Sequence, residues 1–184
     1  MITQPTLFFL IGPAGVGKDT LLNKLKKKQY SSKQPLVAHR YITQAIKEND
    51  ENHIEMSELD FNRRKEAGLF LFDWEYQGGS YGVGKEVLQW LESGEHVIVN
   101  GSRRYLSIAQ KIYPELVPIW MTISEKVLRK RLIIRARETK QEREQRIEEN
   151  HELERFKSDR CITITNDASM KKTIRQILAL IETE

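Results

Sequence analysis

Short apolar runs alternate along the chain with longer segments whose apolar residues recur every three or four positions. The apolar runs occupy residues 7–11, 96–99, 117–123 and 162–164. Runs of this length favour strands, whereas the three- to four-residue spacing favours amphipathic helices. Strands that alternate with helices indicate a mainly parallel sheet with helices on both faces. We therefore predict an α/β fold.

The same patterns assign most of the remaining chain. A helix is predicted from residue 18, and a second between the cap residue Ser57 and Gly68. A further helix is expected after the cap residue Ser124 and is predicted to carry Val127, Leu128, Leu132 and Ile133. The remaining predictions are a short strand at 36–38, a hairpin turn at 77–80, and helices at 85–93, 106–112 and 170–181. The polar segment 44–55 is predicted to be a mobile loop, and charge replaces apolar residues over 135–146.

The first apolar run leads into a glycine-rich segment, and residues 6–20 read TLFFLIGPAGVGKDT. Gly12, Gly17 and Lys18 match the pattern G-x-x-x-x-G-K of a phosphate-binding P-loop, with a strand before it and a helix after it. Glycines let successive backbone N–H groups face phosphate oxygens, and the helix N-terminus adds partial positive charge. Binding of a nucleoside triphosphate is predicted for Gly12, Pro13, Ala14, Gly15, Val16, Gly17, Lys18, Asp19 and Thr20.

The residue after the P-loop lysine departs from the usual pattern. Ser or Thr normally stands there and ligates Mg²⁺ through its hydroxyl, whereas this chain has Asp19. A carboxylate in the first turn of a helix could serve only to complement the helix dipole. Because Mg²⁺ prefers oxygen ligands, we favour a carboxylate that holds the metal directly or through a water.

Composition and charge narrow the class of protein. The 184 residues are 39% hydrophobic and 30% charged, which is typical of a globular protein of one domain. The net charge of +4 is small and interspersed, which suits phosphorylated metabolites and argues against nucleic acid as a partner. The single cysteine, Cys161, excludes an internal disulfide and fits a reducing compartment. No stretch has the length of a membrane span and no signal peptide is visible, so we expect a cytoplasmic protein without membrane contact.

Polar side chains directly follow the strand predicted at 96–99. They are Asn100, Ser102 and Arg103. In a parallel α/β sheet, ligands bind outside the carboxyl ends of the strands. This loop is therefore expected to face the P-loop.

Several strings that occur in one order carry a resemblance to a known family. The P-loop, SYG at 80–82, the arginine-rich helix and lid, and ND at 166–167 resemble the guanylate kinase-like P-loop kinases over nearly the whole chain. Within that family the chain is similar to the ribose 1,5-bisphosphate phosphokinases of phosphonate metabolism. The strings that carry this likeness are LVAHRYIT at 36–43, ENHI at 51–54, YGVG at 81–84 and VNGSR at 99–103.

The resemblance implies a reaction and an architecture. The reaction would transfer the γ-phosphoryl group of ATP to ribose 1,5-bisphosphate and yield ADP and 5-phosphoribosyl 1-diphosphate (PRPP). The architecture would be the three-layer P-loop fold of nucleoside monophosphate kinases in a single domain. Its parts would be a core at 1–35, 84–134 and 155–184, an acceptor-binding region at about 36–83, and a lid at about 135–150.

The resemblance also implies roles for individual residues. Lys18 and the lid arginines would stabilise the transferring phosphoryl group, and Asn166 and Asp167 would flank adenine. The lid arginines would be Arg135, Arg137 and Arg146, and the acceptor would be bound by His39, Arg40, Tyr81, Asn100, Ser102 and Arg103. No general base is required, because a phosphate monoester with a second pKa of about 6 is largely ionised at neutral pH.

Two departures from the guanylate kinases bear on the acceptor. Phe72 stands where those enzymes carry the glutamate that recognises guanine, and Asn100-Gly101-Ser102 replaces their acidic turn. A guanine N–H that loses its carboxylate partner on burial costs about 1–3 kcal/mol. Amide, hydroxyl and guanidinium groups instead suit the hydroxyls and anionic oxygens of a sugar phosphate.

Other interpretations stay open. Arg129, Arg131 and Arg143 could form ion pairs with glutamates one helical turn away. The histidines His39 and His53 could be structural, and the tryptophans Trp74, Trp90 and Trp120 are expected in the core or between packed segments. The protein could also be a nucleoside monophosphate kinase, above all a guanylate-specific one, or a non-catalytic guanylate kinase-like interaction domain. Formation of a homodimer is open as well.

Overall fold

The computed structural model describes residues 2–44, 52–136 and 139–181 of the chain. The strands in these ranges are β1 (Leu7–Ile11), β2 (Leu36–Val37), β3 (Arg40–Ile42), β4 (His53–Glu55), β5 (Phe70–Tyr76), β6 (Gly79–Gly84), β7 (Val97–Asn100), β8 (Val117–Thr122) and β9 (Ile162–Thr165). The helices are α1 (Lys18–Lys27), α2 (Glu58–Glu66), α3 (Glu86–Glu92), α4 (Leu106–Ile112), α5 (Glu125–Arg135), α6 (Lys140–Leu153) and α7 (Met170–Ile181). None of these helices combines the length and the apolar content that crossing a bilayer requires.

The central sheet has five strands in the order β2-β7-β1-β8-β9, and every neighbouring pair is parallel. β1 lies in the middle, and all five of its residues are buried. A strand that is apolar on both faces is typical of a parallel sheet covered by helices on both sides. The α/β architecture predicted from the alternating pattern is confirmed.

Side chains of β1 alternate between the two faces of the sheet and so take part in two cores. Phe8 and Leu10 pack in a cluster with residues of α1 and α7. Phe9 and Ile11 pack in a second cluster with residues of α3 and α4 and with Trp120. Each buried side chain of this size contributes about 1.5–3 kcal/mol. The P-loop that follows β1 is therefore anchored on both sides.

The other four strands form a second sheet in the order β4-β3-β6-β5. β5 and β6 form the hairpin predicted from the sequence, with Tyr76 paired to Gly79. Gln77 and Gly78 both have positive φ, 48° and 75°, which is the geometry that a tight two-residue hairpin turn requires. This sheet carries residues of β3, β5 and β6 towards the P-loop.

One local prediction is wrong. Part of the predicted loop at 44–55 is the strand β4, and the rest of that segment lies largely outside the described residues. Ser124 is the N-cap residue of α5, as predicted, but its side chain makes no capping hydrogen bond; its backbone N–H donates to Asp167 Oδ1 at 2.6 Å. Ile133 lies on α5, as predicted, and is 58% exposed, because it points about 100° away from the buried Leu132 around the helix.

The charged segment around residues 135–146 contains the start of α6, which the hydrophobic pattern did not reveal. A capping box begins this helix: Thr139 N–H donates to Glu142 Oε2 at 2.7 Å, and Glu142 N–H donates to Thr139 Oγ1 at 3.3 Å. Only Ile147 and Asn150 are buried on it. Arg129 of α5 pairs with Glu125 and with Glu144 of α6, so the ion-pair interpretation of Arg129 is confirmed.

Candidate active site

The P-loop turn depends on glycine at two positions. Gly12 has φ of 154°, and a Cβ added there would lie 2.5 Å from the carbonyl oxygen of Met121 on β8. Gly17 begins α1 with φ of 102°, and its added Cβ would lie 2.8 Å from Asn166 Nδ2. Any side chain at these positions would collide with neighbouring strands or loops. The backbone path of the turn therefore requires glycine at both positions.

Lys18 folds back over the turn that precedes it. Its Nζ donates to the carbonyl oxygens of Gly12 at 2.8 Å and Pro13 at 3.1 Å. Burial lowers the pKa of Lys18 to about 8; the carboxylate of Asp19 raises it, and the charges of Arg103 and Arg40 lower it further. A buried ammonium of this kind gains strongly from an anionic ligand.

The far side of the P-loop is supported by buried polar contacts. Asn166 is fully buried, and its Nδ2 donates to the carbonyl oxygen of Val16 at 2.6 Å while its Oδ1 accepts from Thr173 at 2.8 Å. Arg131 donates to the carbonyl oxygens of Val16 at 3.1 Å and Asn166 at 2.8 Å. In the described structure Arg131 therefore holds the P-loop and does not pair with a glutamate, unlike Arg129.

A cleft of about 650 Å³ opens in front of the P-loop. Its walls come from four parts of the described chain: the P-loop with α1, the loop after β7, the second sheet, and α6. The predicted site residues that line it are Gly12, Ala14, Gly15, Gly17, Lys18, Asp19, Thr20, Arg40, Tyr81, Asn100, Ser102, Arg103 and Arg146. The loop after β7 therefore does face the P-loop, as the position of the strand end predicted.

Other predicted site residues are not in this lining. His39 is half-buried, and burial lowers its pKa. Asn166 and Asp167 lie behind the P-loop, where they hold Val16 and Ser124. Pro13 and Val16 are likewise not in the lining. Arg137 and the side chain of Arg135 lie outside the described residues.

The cleft has an excess of positive charge. Its described lining includes five cationic side chains and two carboxylates, Asp19 and Glu149. The cations are Lys18, Arg40, Arg103, Arg104 and Arg146. A concave surface with this balance concentrates anions. The site is therefore built for ligands that carry several negative charges.

Asp19 is held at the boundary between the P-loop and the loop after β7. Its Oδ1 accepts a hydrogen bond of 2.7 Å from Asn100 Nδ2 and lies 3.8 Å from Arg40 Nη2. Because Asn100 uses its Nδ2 in this contact, its Oδ1 is the end left for a ligand. That Oδ1 is buried and has no hydrogen-bond partner among the described residues.

The second sheet supplies a wall of arginine and aromatic rings. The guanidinium of Arg40 lies 5.6 Å from the ring centre of Tyr81, and its Nη2 lies 2.5 Å from His53 Nε2. Arginine can only donate, so His53 Nε2 accepts. Trp74 stacks on Tyr81 with ring centres 5.8 Å apart, and Tyr81 OH donates to Gln44 Oε1 at 3.2 Å.

The three tryptophans differ in position. Trp120 is fully buried, which confirms the prediction of a core residue, and Trp90 packs against the same core. Trp74 is half-buried; it packs against the same core, as predicted, and also lines the cleft. Alternate residues of a strand share a face, so Trp74 lies on the same face of β5 as Phe72 and Tyr76.

Phe72 lies beneath the cleft. It is fully buried and packs edge-on against Phe9, with ring centres 5.6 Å apart, and against Tyr105 at 6.3 Å. It is not part of the described lining. The position compared with the guanine-recognising glutamate is therefore a core position in this chain and offers no acceptor to a base.

Arg103 and Asn150 form a buried pair in the cleft. Arg103 is 7% exposed, and its Nη2 donates to Asn150 Oδ1 at 2.7 Å. Burial lowers the pKa of Arg103 to about 10, so the guanidinium is charged at neutral pH. Asn150 and Gln44 were not predicted from the sequence. Asn150 stands in a run of charged residues on α6, where no local pattern marks it.

These features define a P-loop phosphotransferase of the nucleoside monophosphate kinase type. The guanylate kinase family model matches residues 4–184, so the chain belongs to the guanylate kinase family. The resemblance drawn from the sequence strings is confirmed.

Curated relatives narrow the group within this family. The protein is 42% identical to "Ribose 1,5-bisphosphate phosphokinase PhnN" of Klebsiella pneumoniae subsp. pneumoniae, over 95% of this chain and 91% of that protein. It is also 42% identical to the protein of the same name from Pectobacterium atrosepticum, over 95% and 93%. The protein of that name from Psychromonas ingrahamii is 36% identical, over 97% and 90%.

Solved structures share the fold. A guanylate kinase from Anaplasma phagocytophilum aligns with a TM-score of 0.67 at 16% identity, over 97% of this chain and 86% of that one. A gluconokinase from Sinorhizobium meliloti 1021 aligns with a TM-score of 0.53 at 18% identity, over 97% and 92%. The P-loop kinase fold predicted from the sequence is confirmed.

Proposed function

We propose that the protein transfers the γ-phosphoryl group of ATP to ribose 1,5-bisphosphate and releases ADP and PRPP. One observation carries the proposal: the cleft opposite Lys18 is rich in arginine and poor in carboxylates, and Phe72 leaves no acceptor for guanine. The acceptor then has to be recognised by its negative charge and its hydroxyls. The curated relatives named ribose 1,5-bisphosphate phosphokinase support the same acceptor.

ATP would be bound through its phosphates by the turn between Gly12 and Thr20. The backbone N–H groups of the turn and the N-terminus of α1 suit phosphate oxygens. Lys18 would exchange its contacts with the carbonyl oxygens of Gly12 and Pro13 for contacts with the outer phosphates. Asn166 and Arg131 would act by fixing Val16, because they contact the P-loop backbone behind the cleft.

Asp19 is the residue that would hold Mg²⁺. The described residues contain no cluster of three or more His, Cys, Asp or Glu suited to a metal. Mg²⁺ in kinases usually takes one or two carboxylates together with substrate phosphates and waters, so a single carboxylate beside the P-loop fits. When bound, Mg²⁺ supplies charge neutralisation on the β- and γ-phosphates. Asn100 would keep the Asp19 carboxylate in place.

The acceptor would lie between the second sheet and the loop after β7. Arg40 and Arg103 would bind its two phosphates, since guanidinium groups match phosphate oxygens in charge and geometry. Tyr81 and Ser102 would donate hydroxyl hydrogen bonds. Asn100 Oδ1 would accept from a sugar hydroxyl, because its amide is turned by Asp19.

The reaction would proceed as an in-line displacement. An ionised oxygen of the acceptor's 1-phosphate attacks the γ-phosphorus of ATP. The bond from that phosphorus to the β,γ-bridging oxygen breaks, and ADP leaves with its electron pair. No proton has to be removed from an ionised phosphate. Arg146, together with Lys18, would stabilise the charge on the transferring group, and the same role stays a prediction for Arg135 and Arg137.

The proposed function also assigns an acceptor-binding region, a lid and a cytoplasmic location. The acceptor-binding region would be residues 36–83, which hold most of the second sheet, and the lid would be residues 135–150, which hold most of α6. Cys161 is a free cysteine, which agrees with a reducing cytoplasm.

A coupled assay of ADP release tests the proposal. The protein is supplied with ATP and Mg²⁺ and with ribose 1,5-bisphosphate, GMP or no acceptor. We expect turnover with ribose 1,5-bisphosphate and a rate with GMP no higher than without acceptor. Turnover with GMP at comparable kcat/KM would instead support a guanylate kinase. No turnover with either acceptor would support a non-catalytic interaction domain.

A further inference from the structure

Arg103 is held in the cleft by a neutral residue. Its Nη2 donates to Asn150 Oδ1 at 2.7 Å, and its Nη1 is 3.4 Å from the carbonyl oxygen of the same residue. The guanidinium also lies 6.0 Å from the ring centre of Trp120. Among the described residues, none of the ion pairs includes Arg103. The group is thus fixed in place without a bound carboxylate.

This arrangement is unusual for so buried a charge. Buried charges are commonly paired with an opposite charge, and pairing would cancel the attraction of Arg103 for a phosphate. Glu154 and Glu149 act on Arg103 only as more distant charges. An amide oxygen, by contrast, orients the guanidinium and leaves its net charge available.

A contribution to fold stability does not explain why an asparagine stands at position 150 beside Arg103. Arginine can only donate, so the amide must turn its oxygen towards Arg103 and its Nδ2 away. That Nδ2 is buried and has no partner among the described residues, which destabilises the fold. Asn150 also stands one helical turn after Arg146 on α6, and both residues line the cleft. The contact therefore joins the helix that carries Arg146 to the acceptor side of the site.

We propose that Asn150 is a positioning residue that aims Arg103 at a phosphate of the acceptor without neutralising its charge. The inference rests on the proposed function, in which Arg103 binds the acceptor. It makes different predictions for two substitutions. Asn150→Ala removes the oxygen that orients Arg103, whereas Asn150→Asp keeps an oxygen there and adds a charge that cancels the guanidinium.

The test compares KM for ribose 1,5-bisphosphate and for ATP in the wild type and in both variants. The loss of one charge-assisted contact predicts a rise of about 10- to 100-fold in the KM for the acceptor in each variant. The KM for ATP should stay within about twofold, since Arg103 does not contact ATP in this account. Glu148→Gln, an exposed change on the same helix, is the matched control and should leave both values unchanged.

Repeating both substitutions in an Arg103→Met background completes a double-mutant cycle. If Asn150 acts through Arg103, neither change should alter the KM for the acceptor further in that background. Melting temperature separates fold from function: Asn150→Asp should melt at or above the wild-type temperature, because it pairs a buried guanidinium. A normal KM in Asn150→Asp would overturn the inference, and so would effects that persist without Arg103.

The same proteins distinguish a failure of the inference from a failure of the proposed function. A wild type that phosphorylates ribose 1,5-bisphosphate, with variants that behave as wild type, refutes only the role of Asn150. A wild type that phosphorylates GMP instead refutes the proposed function, and the KM for GMP then tests Asn150 in the same cycle. If neither acceptor turns over, calorimetry measures the binding of ribose 1,5-bisphosphate to each protein. No binding to the wild type refutes both the proposed function and the role of Asn150. Equal binding to the wild type and all variants refutes the role of Asn150.

Discussion

Raising the pH through 8 should weaken the binding of ATP to the free protein, because Lys18 then loses its proton. Burial lowers the pKa of Lys18 from 10.5 to about 8. The protonated ammonium is the form that attracts phosphate, so binding is present below this pKa and lost above it. The difference between the pKa values of 10.5 and about 8 means that burial favours the neutral amine of Lys18 by about 3 kcal/mol.

The size of the effect follows from that pKa. About nine in ten molecules hold the proton at pH 7 and about one in ten at pH 9, so kcat/KM for ATP should fall about tenfold between them. Phosphate monoesters have a second pKa of about 6, so the acceptor is already ionised in this range. Bound ATP should raise the pKa of Lys18, so kcat at saturating ATP should decline only at higher pH than kcat/KM.

The assay is the initial rate of ADP release from pH 6.5 to 9, which stays below the pKa of about 10 of Arg103, at limiting ATP and saturating acceptor. Lys18→Arg is the control, because a guanidinium keeps its charge across this range. It should give a lower rate but a flat profile. A flat wild-type profile would refute the reasoning, as would an equal decline in Lys18→Arg.

Three further changes test separate parts of the structure. Asp19→Ala should lower activity and raise the Mg²⁺ concentration needed for half-maximal rate, and an unchanged Mg²⁺ dependence would exclude a metal role. Gly17→Ala should abolish the rise in melting temperature on adding ATP, because a Cβ there meets Asn166 Nδ2 at 2.8 Å in a strained backbone; retained ATP protection would contradict the rigid turn. Phe72→Ala should reduce the free energy of unfolding in urea by about 3–5 kcal/mol, as for a core aromatic residue, and a change below about 1 kcal/mol would place the ring outside the core.

The sequence predicts well those parts of the fold in which apolar residues form a run or recur at regular spacing. β1 is buried on both faces and reads as one apolar run, and α1 follows a turn whose glycines have no substitute. The loop after β7 could be placed in the site from topology alone, because parallel strands end at a common edge. Asn100 and Arg103 were found in this way.

The parts that the sequence does not predict are held by polar or backbone contacts. β4 pairs with β3 through backbone hydrogen bonds, and two of its three residues are exposed, so no hydrophobic pattern marks it. α6 likewise has only two buried residues, Ile147 and Asn150, within a charged sequence. The roles of Arg131 and Asn150 depend on contacts over 115 and 47 residues of chain, which no local pattern encodes.

Competition between two acceptors is the decisive test of whether the cleft selects a sugar bisphosphate over a nucleotide. The protein receives equimolar ribose 1,5-bisphosphate and GMP with limiting ATP and Mg²⁺, and phosphorus NMR follows the diphosphate products. We expect PRPP to form in step with ADP while GMP is left unchanged. Formation of GDP as the main product would contradict it.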